Sequence, residues 1–336
     1  MFKILHTVFA GPQITIGGET QQKDQKRRYG YFIKGGISIF LMWWVLKGTN
    51  GGDIFLLVRS ASVPLLVCGF SLPFIGYFLS VSRWRILLSA QGISSKRSDL
   101  LGSFMISLFF NNFLPSTIGG DVFRAYESWR LGATKASAVA VVVVDRLLGL
   151  AALLVLAVIG LMAANPFAGT IPFLPFLVLG GFCGVAAVGV FLFHSSFPWD
   201  FKIPEGQSKW MQLGRGLATK VSNGFSAFRG KLDTLTRGFG LSLLLQGNVV
   251  LQYFVFAEAL HYSVSFLGFL SIIPLALLVT LLPVSINGIG LRESVFVLFL
   301  SPWGIDKPEA LALAWLAYGS YVIHGLFGGV VYGCRK

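Results

Sequence analysis

Charged residues are scarce in this chain, and their scarcity argues against an ordinary soluble fold. Asp, Glu, Lys and Arg together make up 12% of the 336 residues, whereas a soluble domain carries about 25%. Cysteine is rare as well. Cys68, Cys183 and Cys334 form no CxxC pair and no cluster with histidine. The sequence therefore predicts neither a disulfide framework nor a metal site.

Motifs for catalysis and for nucleotide binding are also missing. The sequence contains no nucleophile–histidine–acid set, no phosphate-binding loop and no ATP-binding motif. We therefore expect that the chain is not an enzyme and needs no cofactor, and that any transport is driven by a gradient or by mass action. The strict alternation of a membrane β-barrel is absent too.

Long apolar runs are what the sequence has in abundance. Hydrophobic residues make up 54% of the chain, and its mean hydropathy is +0.73. A helix of about 20 apolar residues crosses a hydrocarbon core of about 30 Å, so the sequence predicts an all-α polytopic membrane protein. The predicted full crossings are residues 31–47, 63–84, 136–164, 171–193, 238–261 and 308–333. Two further apolar runs, 100–118 and 265–283, are broken by proline.

The basic residues predict the topology of these crossings. The net charge is +13, and the cations lie between apolar runs, so they indicate cytoplasmic loops and contact with anionic lipid rather than nucleic acid. Basic residues concentrate in the tail 1–30, the loop 83–99, the linker 194–237 and the end of the chain at Arg335. Both termini are therefore predicted to be cytoplasmic. Run 100–118 must then enter and leave on one face, as a re-entrant helix.

A repeat of half the chain's length supports this topology. Residues 114–124 read LPSTIGGDVFR and residues 282–292 read LPVSINGIGLR, an offset of 168 residues. An odd number of crossings per half inverts the second half, which predicts repeats at 31–164 and 171–333, each with one re-entrant broken helix. Inverted repeats with interrupted helices are typical of transporters. The alternative is a chance similarity between two breaks rich in Gly and Pro.

The two breaks carry the first set of candidate functional residues. Irregular backbone inside a membrane must face protein or a wet cavity, so we expect the breaks to face each other. Free N–H groups at a half-helix start and an arginine nearby can bind an anionic head group. The alternative is that these groups merely satisfy a kinked backbone. The candidates for the lipid path are Asn112, Gly119, Gly120, Asp121, Arg124, Asn287, Gly288, Arg292 and Glu293.

Ionisable residues inside the long spans form a second set. Asp145 and Arg146 lie well inside the span 136–164, where a charge is costly unless it is paired or hydrated. We expect both to pair with other elements, with Asp121, Arg124 and Glu127 as the nearest partners. A purely structural ion pair is the alternative. We interpret Glu258 either as a gate or proton site or as an interfacial acid in water.

The basic linker 194–237 predicts an amphipathic helix on the cytoplasmic surface. Its apolar residues recur every three or four positions with basic residues between them, which suits a helix lying on anionic lipid. We interpret it as an anchor. The apolar positions are Trp210, Leu213, Leu217, Val221, Phe225, Phe228, Leu232 and Leu235.

Three motifs resemble the lysylphosphatidylglycerol synthase transmembrane family, which includes the flippase-like domain of bacterial multiple peptide resistance factors. They read FFNNFLPSTIGGDVFRAY at 109–126, VVDRLLGL at 143–150 and LLPVSINGIGLRES at 281–294. The first family motif matches Gly119, Gly120, Asp121 and Arg124, the second Asp145 and Arg146, and the third Asn287, Gly288, Arg292 and Glu293. The resemblance covers about residues 31–333.

The resemblance implies a flippase-like translocase for a phospholipid or a polyprenyl-linked lipid, in a bacterial or archaeal cytoplasmic membrane. Relatives that aminoacylate lipid carry a further soluble domain, and linker 194–237 is too short to be one, so we expect no lysyl-transferring activity. A membrane partner or module of a lipid-modifying enzyme and a small-solute transporter are the alternatives. The sequence leaves open a homo-oligomer or a separate enzyme as a partner.

Overall fold

The computed structural model describes residues 36–113, 119–169, 171–193 and 224–335. Over these ranges the chain is helical, and no β-strand occurs among the described residues. Outside them lie the predicted tail 1–30, residues 114–118 of the first break and most of the predicted linker, 194–223. The helices are α1 Gly36–Leu46, α2 Gly51–Ser60, α3 Val63–Ala90, α4 Arg97–Phe113, α5 Gly119–Arg130, α6 Lys135–Ala163, α7 Leu174–Phe193, α8 Leu232–Ala259, α9 Phe266–Thr280, α10 Leu291–Leu300 and α11 Lys307–Cys334.

Five of these helices, α3, α6, α7, α8 and α11, are long and apolar enough to cross a membrane. The protein is thus an all-α, polytopic integral membrane protein. The remaining predicted crossing, 31–47, contains α1, which is shorter than a full crossing in its described part. Many large apolar side chains on these helices are exposed, as expected where lipid replaces water around the protein.

The second crossing extends further than predicted, and this moves Arg83 from a loop into a helix. The sequence predicts an end at residue 84, but α3 continues to Ala90. Leu87 and Leu88 extend the apolar pattern beyond the RWR triplet and are fully buried. A further helix, α2, lies between the first two predicted crossings, and the Asn50 side chain caps it by accepting a hydrogen bond from Gly52 N at 3.1 Å.

Helices α3 and α8 form an antiparallel pair through the centre of the protein. At one end Ser62 N donates to Ala259 O at 2.9 Å, and at the other Lys231 Nζ donates to Ala90 O at 2.7 Å. Between them Asn248 Nδ2 donates to Leu72 O at 3.1 Å. These three bonds fix the register over the whole length of both helices.

The two ends of the molecule differ in charge. We call the end that holds the loops 91–96 and 131–134 the basic end, because its described residues include Lys96, Arg97, Lys135, Lys231 and Arg335. We call the other the opposite end; it holds the loops 164–169, 260–265 and 301–306. Each of the helices α3, α6, α8 and α11 runs from one end to the other.

Helices α4 and α5 form a hairpin that starts and finishes at the basic end. Ser103 Oγ near the start of α4 donates to Glu127 Oε2 near the end of α5 at 2.8 Å. Closer to the turn, Gly120 N donates to Asn111 Oδ1 at 2.8 Å. The tip lies beside the middle of α11, where Asn112 Nδ2 donates to Tyr321 O at 2.9 Å.

Helices α9 and α10 form a second hairpin, which starts and finishes at the opposite end. Gly268 at the start of α9 packs against Trp303, just beyond the end of α10. Phe299 near that end stacks edge-on with Phe167 in the loop 164–169. The tips of the two hairpins meet, because Asn287 Nδ2 donates to Asn112 O at 3.2 Å.

The described part of the linker, 224–231, is folded against protein rather than extended as one surface helix. Phe225 and Phe228 belong to the apolar core formed with α3 and α6 and are buried. Gly230 has a φ of +73° and interrupts the helix, so Leu232 and Leu235 belong to α8. The prediction of a continuous amphipathic helix through residue 237 is therefore wrong for this part.

Candidate functional site

Asp145 lies at the centre of the main polar cluster. Its side chain is 2% exposed and accepts hydrogen bonds from two arginines. Arg83 on α3 forms a fork with it, with Nε 2.6 Å from Oδ1 and Nη2 3.0 Å from Oδ2. Arg124 on α5 donates from Nη1 to Oδ2 at 2.9 Å. One carboxylate thus joins α3, α5 and α6.

Arg146, the next residue on α6, turns to a different partner. It forms a second fork with Asp121 on α5, with Nε at 2.9 Å and Nη2 at 2.8 Å from the two carboxylate oxygens. The Arg146 side chain is half-exposed. Asp121 and Arg124 are two of the three partners that the sequence suggests. The third, Glu127, instead pairs with Arg130 and Arg335 at the basic end.

The cluster holds more positive than negative charge. Three arginines, Arg83, Arg124 and Arg146, face two aspartates, Asp121 and Asp145, which leaves one positive charge without a carboxylate among these groups. Arg83 and Arg124 are both buried. Burying an uncompensated charge costs several kcal/mol. The arrangement is therefore electrostatically suited to an additional anion.

Arg124 also has unused hydrogen-bonding capacity. Its Nε and Nη2 atoms are buried and have no partner among the described residues. Its guanidinium lies over the Trp84 ring, 4.8 Å from the centroid, and 5.7 Å from that of Phe104. Two N–H-bearing atoms of a planar, aromatic-flanked guanidinium match the oxygens of a phosphate or carboxylate.

Ser128 supports the position of Arg124. Its hydroxyl donates to the Arg124 carbonyl at 2.8 Å and accepts from Trp84 Nε1 at 3.2 Å. Both polar groups of this bridge are fully buried, so it ties the hairpin helix α5 to the long helix α3. The glycine at 120 lets α4 approach closely, since a Cβ there would collide with the Ser107 carbonyl and the Asn111 side chain.

The tip of the second hairpin has an unusual backbone that brings Arg292 forward. Asn287 and Gly288 adopt positive φ values of 52° and 76°, a conformation that Asn and Gly tolerate best. Arg292 Nη2 then donates to Asn287 O at 3.1 Å. The guanidinium of Arg292 stacks on Tyr318 of α11 at 4.2 Å. No acidic side chain pairs with Arg292 among the described residues.

Glu293 has a structural task at the same tip. Its Oε2 accepts a hydrogen bond from Gly290 N at 2.7 Å and so caps α10. The residue is 3% exposed. Gly290 has a φ of +80° and packs against the backbone of α1, where a Cβ would collide with Ser38 O. Glu293 therefore holds the break in place and does not pair with Arg292.

Polar groups line the junction between the two tips. Ser38 Oγ on α1 accepts from Ile286 N at 2.9 Å. The Asn112 Oδ1 and Ser285 Oγ atoms are buried and have no partner among the described residues. Unpaired acceptors and hydroxyls in a buried place are costly, so this junction, which Arg292 reaches through Asn287 O, favours an additional polar group.

The structure adds residues that the sequence analysis missed. Arg83, interpreted there as a charge in a cytoplasmic loop, is part of the cluster, and Ser242 on α8 accepts from its Nη1 at 2.7 Å. Tyr318 supports Arg292. The apolar residues after Arg83 were a usable signal, because a helix that continues past an arginine must bury or pair it.

Glu258 stays apart from both arginine sites. It lies on the last turn of α8 at the opposite end, and its side chain is exposed. Its carboxylate makes no hydrogen bond or ion pair among the described residues, and Arg292 is engaged with Asn287 and Tyr318. Both interpretations of Glu258, as a gate or proton site and as an interfacial acid, stay predictions.

The described residues contain no group of His, Cys, Asp and Glu side chains that could hold a metal ion.

A comparison with known protein families matches most of the chain to one family model. A family model described as the lysylphosphatidylglycerol synthase TM region matches residues 31–328. A comparison with curated proteins finds no match for this chain. The matched range includes both hairpins and the whole arginine–aspartate cluster.

Proposed function

The chain belongs to the lysylphosphatidylglycerol synthase transmembrane family, and from that premise we propose that it is a flippase-like lipid translocase. Membership supports a function connected with membrane lipid. The proposed substrate is a lipid with an anionic or phosphate-bearing head group, either a phospholipid or a polyprenyl-linked lipid. It crosses the cytoplasmic membrane unchanged, without a cofactor and without a chemical step.

The observation that carries this proposal is the excess positive charge around Asp145. Arg83 and Arg124 share a single buried carboxylate, and two nitrogen atoms of Arg124 have no partner within the part of the chain that the structure describes. An additional anion would balance the charge and accept hydrogen bonds from these two nitrogens at once. A phosphate group does so with oxygens that match the planar guanidinium.

The two hairpins supply the path for that head group. We propose that each is a re-entrant element, one entering from the cytoplasm and the other from outside, within two inverted repeats. Irregular backbone at membrane depth is tolerated where it lines a polar cavity, and the contact between Asn112 and Asn287 supports a meeting point of this kind. Arg124 then receives the head group from the cytoplasmic side, and Arg292 from outside.

The basic end supports the assignment of sides. Cationic loops remain cytoplasmic, so we propose that both termini lie in the cytoplasm with this end. Lys96, Arg97, Lys135 and Lys231 would then attract anionic lipid of the inner leaflet toward the entrance at Arg124. This arrangement provides a local supply of substrate without a soluble partner.

Reconstitution of the purified protein alone tests the function. Proteoliposomes would contain a fluorescent phosphatidylglycerol in both leaflets, and membrane-impermeant dithionite would quench the outer leaflet first. We expect quenching to continue past half of the signal in protein-containing vesicles and to stop at half in empty ones. A wild-type protein that stopped at half would contradict translocation and favour a membrane module of a lipid-modifying enzyme.

Variants of the two arginines then locate the path. Because a hydrogen bond to a charged group contributes about 1.5–3 kcal/mol, we expect Arg124→Ala to lower the flux of cytoplasmically loaded lipid by roughly tenfold or more. Arg292→Ala should lower the flux of lipid loaded from outside. Lys at either site should give an intermediate loss, since it keeps the charge but loses the planar fork. Arg85→Ala is the control for both variants, because it removes an arginine of α3 that is not part of the arginine–aspartate cluster.

Vesicles with one orientation of the protein measure the two directions separately. Equal flux in both Arg→Ala variants and the wild type would show that these arginines are structural. The path would then lie elsewhere.

A further inference from the structure

Asp145 is shared unequally by its two arginines. Arg83 has all three guanidinium nitrogens engaged, two with Asp145 and one with Ser242 at 2.7 Å. Arg124 reaches the same carboxylate with one nitrogen only, and its other two have no partner among the described residues. Arg83 thus uses every guanidinium nitrogen, whereas Arg124 contacts Asp145 through a single hydrogen bond.

The two arginines also belong to different parts of the molecule. Arg83 joins three long helices, because it lies on α3, Asp145 on α6 and Ser242 on α8. Arg124 lies on the short helix α5 of the first hairpin. The single bond between Arg124 and Asp145 therefore links the hairpin to a frame that Arg83 already holds together.

The cost of an unpaired carboxylate makes this division useful. A buried carboxylate that loses its only partner is strongly destabilised, so an aspartate paired with Arg124 alone would not release it. With Arg83 bound through a fork, the charge of Asp145 stays compensated after Arg124 leaves. Arg83 thus lowers the cost of freeing Arg124.

We propose that Arg83 is a positioning residue that allows Arg124 to exchange the Asp145 carboxylate for an anionic lipid head group. In the resting arrangement Arg124 donates to Asp145. On loading, Arg124 turns its N–H groups to the head-group oxygens, while Arg83 and Ser242 keep Asp145 in place. No covalent bond changes and no proton moves. The proposal rests on the translocase function proposed above.

Substitution of Arg83 by a neutral residue tests the exchange in binding measurements. In Arg83→Gln, Asp145 has only Arg124 as its cationic partner, so Arg124 should be committed to it. We expect the affinity for short-chain phosphatidylglycerol in detergent micelles to fall by roughly tenfold, a typical size for coupling between sites. Arg85→Gln, two residues away on the same helix, should bind as the wild type does.

A second substitution separates exchange from simple damage. Asp145→Asn in the Arg83→Gln background removes the competing carboxylate, so Arg124 is free again and binding should return to at least the wild-type affinity. A structural role for Arg83 predicts the reverse, because two lesions in one cluster should lower binding further. Arg83→Lys, which keeps the charge but loses the fork, should lie between Arg83→Gln and the wild type.

The results distinguish this inference from the proposed function. Unchanged affinity in Arg83→Gln, or a double variant weaker than the single one, would overturn the exchange while leaving translocation by Arg124 intact. Unchanged affinity in Arg124→Ala would instead contradict the proposal that Arg124 binds the lipid head group. Gel filtration and a melting curve of each variant show whether the protein measured is folded.

Discussion

Asp145 and Arg146 are neighbours on one helix, yet they serve two separate ion pairs. Successive residues on an α-helix point about 100° apart, so one carboxylate turns to Arg83 and Arg124 while the adjacent guanidinium turns to Asp121. Both pairs connect α6 to α5. A movement of the first hairpin must therefore break or stretch these bonds, and the strength of each bears on transport.

Neutral replacements at these two positions should impair transport far more than folding. Asp145→Asn removes the carboxylate that two buried arginines share, and the anionic head group of a membrane lipid can replace that charge. The protein should then stay folded while the lipid is held and released slowly. Arg146→Gln should fold well, because its half-exposed pair contributes only about 0–1 kcal/mol to stability. We expect flux to fall roughly tenfold in each, by analogy with typical couplings between sites, with near-normal protein levels in the membrane.

Dithionite quenching and quantitative immunoblotting of membranes measure the two effects together. Degradation of both variants would favour a structural network. Normal flux in both would rule out either role for the pair.

The need for partners at Asp145 and Arg146 could be predicted from the sequence, but the identity of Arg83 as a partner could not. A charge inside an apolar run must be paired or hydrated, and the nearest opposite charges in the chain include Asp121 and Arg124. Arg83 lies 62 residues before Asp145. The apolar residues after it indicate that the helix continues, but which distant carboxylate it pairs with depends on how α3 packs against α6.

Among the elements, the contact between α4 and α11 depends on glycine. Helices in membranes associate through small residues that allow close approach of the backbones. A Cβ at Gly328 would collide with the Met105 carbonyl on α4, and one at Gly329 would lie within 3 Å of the Phe109 ring. In contrast, Gly319 on the same helix has nothing within 4 Å of the position of a Cβ.

Gly328 and Gly319 of α11 provide a matched test of hairpin packing. Gly328→Ala should separate α4 from α11 and destabilise the protein by about 1–3 kcal/mol, the usual cost of overpacking. Gly319→Ala should be neutral or stabilising by up to about 1 kcal/mol, because alanine is the better helix former. Thermal unfolding in detergent compares them, followed by tryptophan fluorescence because Trp84 is fully buried in the folded protein.

Flux should follow the same order, since Asn112 at the hairpin tip is positioned by the same interface. Equal melting temperatures for the two variants would mean that α4 moves freely against α11. The sequence alone does not separate the two glycines, because their surroundings come from another helix.

The linker shows that the spacing of apolar residues predicts a helix but not what packs against it. Apolar residues at spacings of three and four predict a helix with one apolar face, but they do not say whether lipid or protein covers that face. Phe228 is fully buried in the core with α3 and α6, and Gln91 Nε2 on the adjoining turn donates to Gly224 O at 3.2 Å. Protein covers this part of the linker.

At the scale of the whole molecule, two hairpins of opposite direction meet at their tips. The apolar runs predict the long helices well, because length and hydropathy are properties of each run alone. The matching breaks at 114–124 and 282–292 predict two special elements in equivalent places. The stacking of Arg292 on Tyr318 could not be predicted in this way, since it depends on how α10 packs against α11.

The sidedness of the two hairpins is the prediction that tests this architecture most directly. A variant without Cys68, Cys183 and Cys334 would receive single cysteines at exposed positions of the two ends. Ser94→Cys and Leu131→Cys probe the basic end, and Ser263→Cys and Ser301→Cys probe the opposite end. Because basic loops remain in the cytoplasm, a membrane-impermeant maleimide added to intact cells should label only the second pair. Permeabilised cells should show labelling of all four.

Residue 131 follows the first hairpin and residue 301 follows the second. Labelling of both from the same side would therefore exclude the inverted arrangement. It would also exclude the separate inner and outer roles of Arg124 and Arg292.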